Sequence, residues 1–223
     1  MSKTPATSGT HYGDYLQLDR LLSAQRPLSG GDNGTPAHDE MLFIVIHQAY
    51  ELWFKLILHE LGSVVPLFRA QTLDERRMGF IVNRLERVVE IQRVLVDQLT
   101  ILETMTPLDF LDFRDCLTPA SGFQSIQFRQ IEATLGLRQG DRTPYGQNAY
   151  RTHLTDEERA ILETDEAAPS LIDLLEEWLE RIPFLDMKGY NFWSEYKEAV
   201  AAMLARDADI ISNNSMLSEN EKK

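Results

Sequence analysis

The sequence is poor in cysteine and in basic residues. Cys116 is the only cysteine among 223 residues, so no disulfide can form within the chain, as is typical of proteins from reducing compartments. Lysine and arginine number 22 against 35 aspartates and glutamates, which gives a formal net charge of −13. Because nucleic-acid backbones and anionic membranes attract clustered basic side chains, this balance argues against both as partners.

Long uninterrupted apolar stretches are also lacking. No apolar run reaches 18 residues, and the polar start MSKTPATSGTHYG has no apolar segment of the kind found in signal peptides. With 43% hydrophobic residues, the chain can nevertheless bury a sizeable core. We therefore expect a soluble, cytoplasmic protein.

Apolar residues recur at helical spacing throughout, and no segment alternates cleanly with period two. We expect helices from Tyr15 and over about 39–62, with Pro66 kinking or stopping any continuation, and a longest helix over about 74–105. The sequences TPLD at 106–109, SGFQ at 121–124 and TDEE at 155–158 are predicted to begin further helices.

These patterns predict an all-α fold, a bundle of long helices. The longest helix carries a heptad seam, which is typical of long helices that pack nearly parallel. Its members are Ile81, Leu85, Val88, Gln92, Leu95, Leu99 and Leu102. We expect one domain over residues 12–211, between a disordered N-terminus (1–11) and a disordered tail (212–223).

His47 lies in the middle of the apolar and aromatic run LFIVIHQAYELWFK, residues 42–55. On a helix it shares a face with Phe43, Tyr50 and Phe54. It is either a core histidine bonded to a backbone carbonyl or to Glu51, or an imidazole that exchanges a hydrogen bond with a ligand in an aromatic pocket. The spacing alone leaves both interpretations open.

Histidine spacing argues against a metal site made of protein ligands alone. No Glu-x-x-His motif of the di-iron bundle type occurs in the sequence. His38, His47, His59 and His153 also lack the close Cys/His pairs of structural zinc sites. We expect no metal to be held by these residues alone.

A second concentration of candidate residues lies in DFRDCLTPASGFQSIQFR, residues 112–129. Arg114 either pairs with a neighbouring aspartate at the surface, which contributes little, or uses its guanidinium beside Phe110 to bind a carboxylate at two points. Ser121 is a helix cap, and the helix N-terminus that it caps can also present N–H groups to a polar ligand.

Four blocks of the sequence, in this order, resemble the tryptophan 2,3-dioxygenase family in its animal-like branch. They are YGDYLQLDRLLSAQ, HDEMLFIVIHQAYELWFKLILHEL, ILETMTPLDFLDFRDCLTPASGFQSIQFR, and WLERIPFL followed by GYNFW. The resemblance covers about residues 12–200. It implies a helical homotetramer that binds haem b and adds both atoms of O2 across the indole C2–C3 bond of L-tryptophan. The product is N-formylkynurenine, in the first step of the kynurenine pathway of tryptophan catabolism.

The resemblance also implies roles for individual residues. His47 matches the distal, catalytic histidine that hydrogen-bonds the indole N–H, and Phe43 matches an aromatic residue of the indole pocket. Arg114 matches the arginine that binds the substrate carboxylate. Phe110 stands in the substrate site where many bacterial relatives have a tyrosine, so that a hydroxyl contact to this carboxylate would be absent.

Other matching positions concern the cofactor and a neighbouring subunit. Ser121 matches a serine beside the haem. Tyr12, Tyr15 and Leu16 match N-terminal residues that reach into the substrate pocket of the neighbouring subunit.

Some animal members of the family have a second tryptophan site outside the catalytic pocket. Glu75, Trp178, Arg181 and Pro183 match its residues, whereas Leu73 stands where a basic residue would help binding. The resemblance therefore leaves the function of this second site open.

The proximal haem histidine and a GTGGSSG-like substrate loop lie in later helices of the family, and neither has a counterpart in this sequence. The resemblance thus predicts the distal half of a dioxygenase site, whose axial ligand comes from a remainder of the protein or a separate chain. The alternative is a haem-free, truncated module for helical oligomerisation or ligand binding. A third alternative is a related haem-dependent enzyme that acts on another aromatic amino acid.

Overall fold

A computed structural model describes residues 10–31, 34–70, 73–137, 154–181, 186–187 and 190–213 of the chain. These residues are overwhelmingly helical, so the predicted all-α class is confirmed. One antiparallel pair of two-residue strands, β1 (Asp186–Met187) and β2 (Tyr190–Asn191), is added to the helices. Strands of this length are too short to produce an alternating pattern in the sequence.

Nine helices belong to the described part of the chain. They are α1 (Tyr12–Leu16), α2 (Leu18–Leu21), α3 (His38–Arg69), α4 (Met78–Leu102), α5 (Pro107–Leu117), α6 (Ile126–Leu135), α7 (Asp156–Ala167), α8 (Leu171–Glu180) and α9 (Phe192–Asn213). Short 3₁₀ turns, Glu75–Arg77 and Gly122–Gln124, precede α4 and α6.

The chain divides into two compact units, Met1–Leu171 and Ile172–Lys223. In the first unit, α3 packs against α4, α5 and α6, and α6 packs against α7. In the second, β1 pairs with β2 and β2 contacts α9. One domain over residues 12–211 stays a prediction, and the expected disorder of the two ends falls mostly on residues outside the described ones.

Helix α3 is the centre of the first unit and runs through Pro66, where the sequence predicted an end. Pro66 itself is exposed, whereas Val64 and Phe68 on either side of it are 0% and 2% exposed. Burial of each such side chain contributes roughly 1.5–3 kcal/mol. Together they offset the ~3 kcal/mol that an interior proline costs a helix. The end predicted near residue 62 was therefore wrong, because packing outweighs the local penalty of Pro66.

A buried carboxylate joins α3 to α4. Glu60 accepts a hydrogen bond from Arg87 Nη1 at 2.6 Å, and Arg84 Nε lies 3.7 Å from its other carboxylate oxygen. The Arg84 guanidinium also lies 3.4 Å above the centre of the Phe80 ring. A charge removed from water needs such partners, so these arginines fix the orientation of α4 on α3.

The seam predicted for α4 is only partly confirmed. Ile81, Val88 and Leu95 are buried as expected, and Ile91, outside the predicted seam, is buried with them. Leu99, by contrast, is 46% exposed. The seam prediction was wrong there because the last turns of α4 border a cavity.

Two predicted caps form as expected and one differs. Capping boxes begin α5 at Thr106 and α7 at Thr155. The box at Ser121 begins only the 3₁₀ turn, and α6 starts later, where the hydroxyl of Ser125 accepts from the backbone N–H of Phe128 at 3.2 Å. Gly136 ends α6 at φ = 105°, a left-handed conformation that glycine adopts without steric cost.

The helix predicted from Tyr15 is divided into α1 and α2. Gln17 between them has φ = 53°, and its side-chain amide donates to the carbonyl oxygen of Asp14 at 2.6 Å. A left-handed residue interrupts the helical hydrogen bonding, so the single helix expected there was wrong.

Among the described residues, α3 is long and apolar enough to cross a membrane, with a mean hydropathy of 1.4 in its most apolar window. Core helices of water-soluble proteins meet the same criterion, and α3 carries the buried ion pair of Glu60. The absence of a membrane-spanning segment stays a prediction.

Candidate functional site

A row of aromatic contacts connects His47 on α3 to Arg114 on α5. The ring of Phe43 lies 4.1 Å from the His47 ring and 5.7 Å from the Phe110 ring, measured between centroids. Arg114 Cζ lies 6.0 Å from the centroid of Phe110. Phe113, which is 1% exposed, packs edge-on against both phenylalanines and supports them from the core. We call His47, Phe43, Phe110 and Arg114 the aromatic row.

The row follows from helix periodicity on two elements. Phe43 and His47 are four residues apart on α3, and Phe110 and Arg114 are four apart on α5, so each pair lies on one helix face. The Thr106–Asp109 capping box starts α5 one turn before Phe110 and fixes where that face begins. The sequence did not identify Phe113 as a support, although its spacing of three from Phe110 indicates a shared face.

His47 has one ring nitrogen engaged and the other available. Its Nδ1 lies 2.7 Å from the carbonyl oxygen of Phe43. A carbonyl oxygen only accepts hydrogen bonds, so Nδ1 carries the proton and Nε2 of the neutral ring keeps its lone pair. The backbone bond expected of a core histidine is therefore present, yet the side chain is exposed rather than buried.

A cavity of about 430 Å³ opens beside His47. Tyr50 and Phe54 from α3, Leu102 from α4, and Ser121 and Phe128 from the α5–α6 region line it together with His47. Its wall is mainly apolar. Phe43, Phe110 and Arg114 are not among its lining residues, so His47 stands where the aromatic row meets the cavity.

Several polar groups of the cavity wall are held by neighbours. The Tyr50 hydroxyl donates to the carbonyl oxygen of Leu95 at 2.5 Å, and burial raises the pKa of Tyr50. The side-chain amide of Gln127 donates to the carboxylate of Glu51 at 2.7 Å and to its carbonyl oxygen at 3.0 Å. Glu51 is thus bound to α6 and not to His47, which the sequence had considered as its partner.

Ser121 lies on the same cavity as His47, although 74 positions later in the chain. Its Oγ accepts from the backbone N–H of Phe123 at 3.3 Å, and its own N–H donates to Gln124 Oε1 at 2.9 Å. The hydroxyl proton is not needed for this cap. Ser121 therefore caps the 3₁₀ turn before α6 and not α6 itself, and a cofactor contact of Ser121 stays a prediction.

Arg114 is exposed and forms no salt bridge within 4.0 Å among the described residues. The surface pairing with Asp112 or Asp115 that the sequence left open is therefore not formed there. The guanidinium keeps its five donors for another acceptor.

The predicted N-terminal residues lie away from the aromatic row. Tyr12 and Tyr15 are 70% and 76% exposed, and Leu16 is 41% exposed. In the part of the chain that the structure describes, none of them has a ring contact or side-chain hydrogen bond with the row. Their reach into a neighbouring subunit stays a prediction.

The residues matched to a second tryptophan site are not tested by the structure. Trp178 is half-buried and Arg181 is exposed in the second unit, whereas Leu73 belongs to the first. The side chain of Glu75 and all of Pro183 lie outside the described residues.

No group of three or more histidine, cysteine, aspartate or glutamate side chains in the described ranges could hold a metal ion. His11 caps α1 by accepting from the N–H of Gly13 at 3.2 Å, His38 begins α3, and His59 is exposed three turns beyond His47. Among described residues, His47 is the single imidazole on the cavity. His153 lies outside them.

Comparison with known proteins bears directly on this arrangement. A family model described as tryptophan 2,3-dioxygenase matches residues 2–223. The chain belongs to the tryptophan 2,3-dioxygenase family. A protein named tryptophan 2,3-dioxygenase from Bdellovibrio bacteriovorus is 52% identical over 212 residues, 95% of this chain and 59% of the relative.

Relatives from other organisms carry the same name and are similarly identical to this chain. Proteins with the same name from Dictyostelium discoideum and Aedes aegypti are 50% and 52% identical, over 97% and 89% of this chain. The chain spans 54% and 50% of their lengths, so it covers about half of these curated tryptophan 2,3-dioxygenases. The comparisons do not favour the alternative of a haem-free module.

Proposed function

We propose that this chain forms the substrate-facing part of an enzyme that inserts O2 into the indole C2–C3 bond of L-tryptophan, giving N-formylkynurenine. The single observation that carries the proposal is the hydrogen bond from His47 Nδ1 to the carbonyl oxygen of Phe43. It leaves Nε2 as an acceptor at the end of an aromatic row. An indole ring has an N–H donor on a flat apolar body, which complements this combination.

The two ends of the aromatic row bind different parts of tryptophan, the indole ring and the carboxylate. His47 Nε2 accepts from the indole N–H, and Phe43 provides an apolar surface for the ring. Arg114, at the other end of the row, binds the carboxylate through two parallel hydrogen bonds, which the planar guanidinium favours. An amino acid without an indole N–H would leave the imidazole acceptor unpaired, which costs about 1–3 kcal/mol.

The described residues could line part of a haem site. The cavity beside His47 has an apolar wall with Phe128 and Ser121, suited to a flat macrocycle with a polar edge. His47 is the single imidazole among the described residues of the cavity, so no second histidine there would hold a haem iron. When bound, haem would supply the iron that activates O2. We propose that its axial ligand lies outside the described residues.

The remaining proposals concern assembly and location. A homotetramer would give Tyr12, Tyr15 and Leu16, which are exposed in the single chain, a neighbouring subunit to contact. A cytoplasmic location agrees with one cysteine and a net charge of −13. The proposal of a tetramer rests on the family resemblance.

Isotope incorporation tests the proposed reaction. The haem-loaded protein is incubated with L-tryptophan under ¹⁸O2, and the product is analysed by mass spectrometry. We expect N-formylkynurenine that carries two ¹⁸O atoms, since both atoms of one O2 enter the product. A product with one or no labelled oxygen would refute dioxygenation. Turnover of phenylalanine at the rate of tryptophan would refute recognition of the indole N–H.

A further inference from the structure

The segment that connects α2 to α3 is fastened to the start of α3 by a buried carboxylate. Glu40, in the first turn of α3, is 0% exposed. One of its oxygens accepts from the N–H of Leu28 at 2.6 Å, and the other accepts from the N–H of Ser29 at 2.9 Å and from the Ser29 hydroxyl. The Ser29 oxygen in turn accepts from the N–H of Ala37 at 2.8 Å. We call Glu40 and Ser29 the clasp.

The clasp provides hydrogen-bond acceptors for the backbone N–H groups of Leu28, Ser29 and Ala37. Burial alone would raise the pKa of Glu40, but the hydrogen bonds from the Ser29 hydroxyl and from the N–H groups of Leu28 and Ser29 lower it. The carboxylate is therefore held charged among donors. Loss of the acceptor would leave buried N–H groups without partners, which the fold avoids strongly.

A second contact fastens the same segment close to His47. The side-chain amide of Gln25 donates to Oε1 of Gln48, the residue after His47, and Gln48 Nε2 donates to the carbonyl oxygen of Ala24 at 3.2 Å. The connecting segment is thus bound to α3 at Gln48 and again at Glu40, about two turns earlier. These two contacts set its path along the helix that carries Phe43 and His47.

We propose that Glu40 is a positioning residue for the tryptophan site. Together with Ser29, it fixes the direction in which α1 and α2 leave α3, so that Tyr12 and Tyr15 enter the substrate pocket of a second copy of this chain. The inference rests on the proposed function and adds to it the device that places the N-terminal aromatics.

Two features of the described residues support a second copy of this chain as the partner that Tyr12 and Tyr15 contact. Tyr12 and Tyr15 keep most of their surface exposed, although tyrosines bury 150–250 Å² where they dock. Their contact with the aromatic row of the same chain is absent in the described residues. A segment held rigidly at its base, with aromatic side chains exposed at its tip, is suited to inserting into another subunit.

The test compares Glu40→Gln and Ser29→Ala with the matched control Asp39→Asn in the haem-loaded, oligomeric enzyme. Glu40→Gln keeps the side-chain size but turns one acceptor into a donor opposite the donors of Ser29. Asp39→Asn removes the same charge from the same helix turn, and no described residue forms a hydrogen bond with the side chain of Asp39. Both changes therefore affect the helix N-terminus alike, and only one disrupts the clasp.

Two measurements report the positioning role. Hydrogen exchange should accelerate about tenfold or more at Leu28, Ser29 and Ala37 in the clasp variants, and protection of residues 12–22 by the second copy should be lost. Steady-state kinetics should show a rise of about tenfold in KM for tryptophan with kcat within about twofold. Ser29→Thr, which restores the hydroxyl, should recover both, and Asp39→Asn should match the wild type.

The outcomes separate this proposal from the proposed function. If the wild type oxidises tryptophan while both clasp variants keep its KM and the protection of residues 12–22, the positioning role is wrong and the proposed function stands. A lower melting temperature without those changes would make the clasp merely structural and would also overturn the proposal. If the wild type neither binds nor oxidises tryptophan, both fail.

Discussion

The imidazole of His47 donates through Nδ1 to the backbone oxygen of Phe43, one helical turn earlier, and the two rings lie 4.1 Å apart. The same residue therefore sets both the tautomer of the histidine and the apolar surface beside it. This relationship fixes which nitrogen faces a ligand without any second side chain. A ligand with one N–H on an aromatic body can donate to the free nitrogen of His47 and pack on the ring of Phe43.

Replacement of His47 by alanine is expected to weaken tryptophan binding by about 1–3 kcal/mol, because the indole N–H would lose its acceptor. The measurement is a dissociation constant for L-tryptophan by calorimetry. The same variant should bind 1-methyl-tryptophan, which has no indole N–H, about as well as the wild type does. An equal loss for both ligands would show that His47 acts by shape and not by accepting a hydrogen bond.

Arg114→Ala is expected to weaken tryptophan binding by about 1.5–3 kcal/mol, the range for hydrogen bonds to charged groups. Arg114→Lys should recover only part of this loss, because an ammonium cannot bind a carboxylate with the planar two-point geometry. Tryptamine, which lacks the carboxylate, provides the comparison and should bind wild type and variants alike. Arg93→Ala is the matched control, since Arg93 is exposed and paired only with Glu90 on its own helix.

The sequence could predict those parts of the site that depend on spacing along one helix. Phe43 with His47, and Phe110 with Arg114, lie four residues apart, and the structure joins the two pairs through the contact of Phe43 with Phe110. The sequence could not predict the tautomer of His47, because the hydrogen bond to the Phe43 carbonyl depends on the side-chain rotamer. The contact of Gln127 with Glu51, 76 positions apart, leaves no local pattern.

The fold shows the same division between local and long-range causes. Capping boxes at Thr106 and Thr155 were predicted because the residues that form them are neighbours in the sequence. The end of α3 before Pro66 was predicted wrongly, since the burial of Val64 and Phe68 depends on helices far along the chain. Glu40 lies at the start of the helix predicted over about 39–62, but its bonds to Leu28 and Ser29 leave no local pattern because they cross a loop.

Glu60→Ala is expected to destabilise the fold by about 1.5–3 kcal/mol, because it removes the buried carboxylate that accepts from Arg87 and faces Arg84 between α3 and α4. Chemical denaturation followed by circular dichroism gives the free energy of unfolding. The matched control is Glu90→Ala, which removes an exposed carboxylate from its pair with Arg93 and should cost at most about 1 kcal/mol. Equal losses for the two variants would contradict the structural role assigned to Glu60.

The stability contributed by Glu40 is expected to depend on pH with a definite sign. Its pKa in the folded chain lies below the ordinary value of 4.5, so the folded state holds this proton less tightly than the unfolded state. The contribution is therefore complete above about pH 4.5 and is lost as the pH falls through the lower, folded pKa.

The free energy of unfolding is measured from pH 7 to 3 for the wild type, Glu40→Gln and Asp39→Asn. The difference between the wild type and Glu40→Gln should be constant above pH 5 and should shrink steadily below 4.5. Asp39→Asn should retain the wild-type slope in that range, and a difference that grows towards acid would mean that Glu40 is protonated in the folded chain.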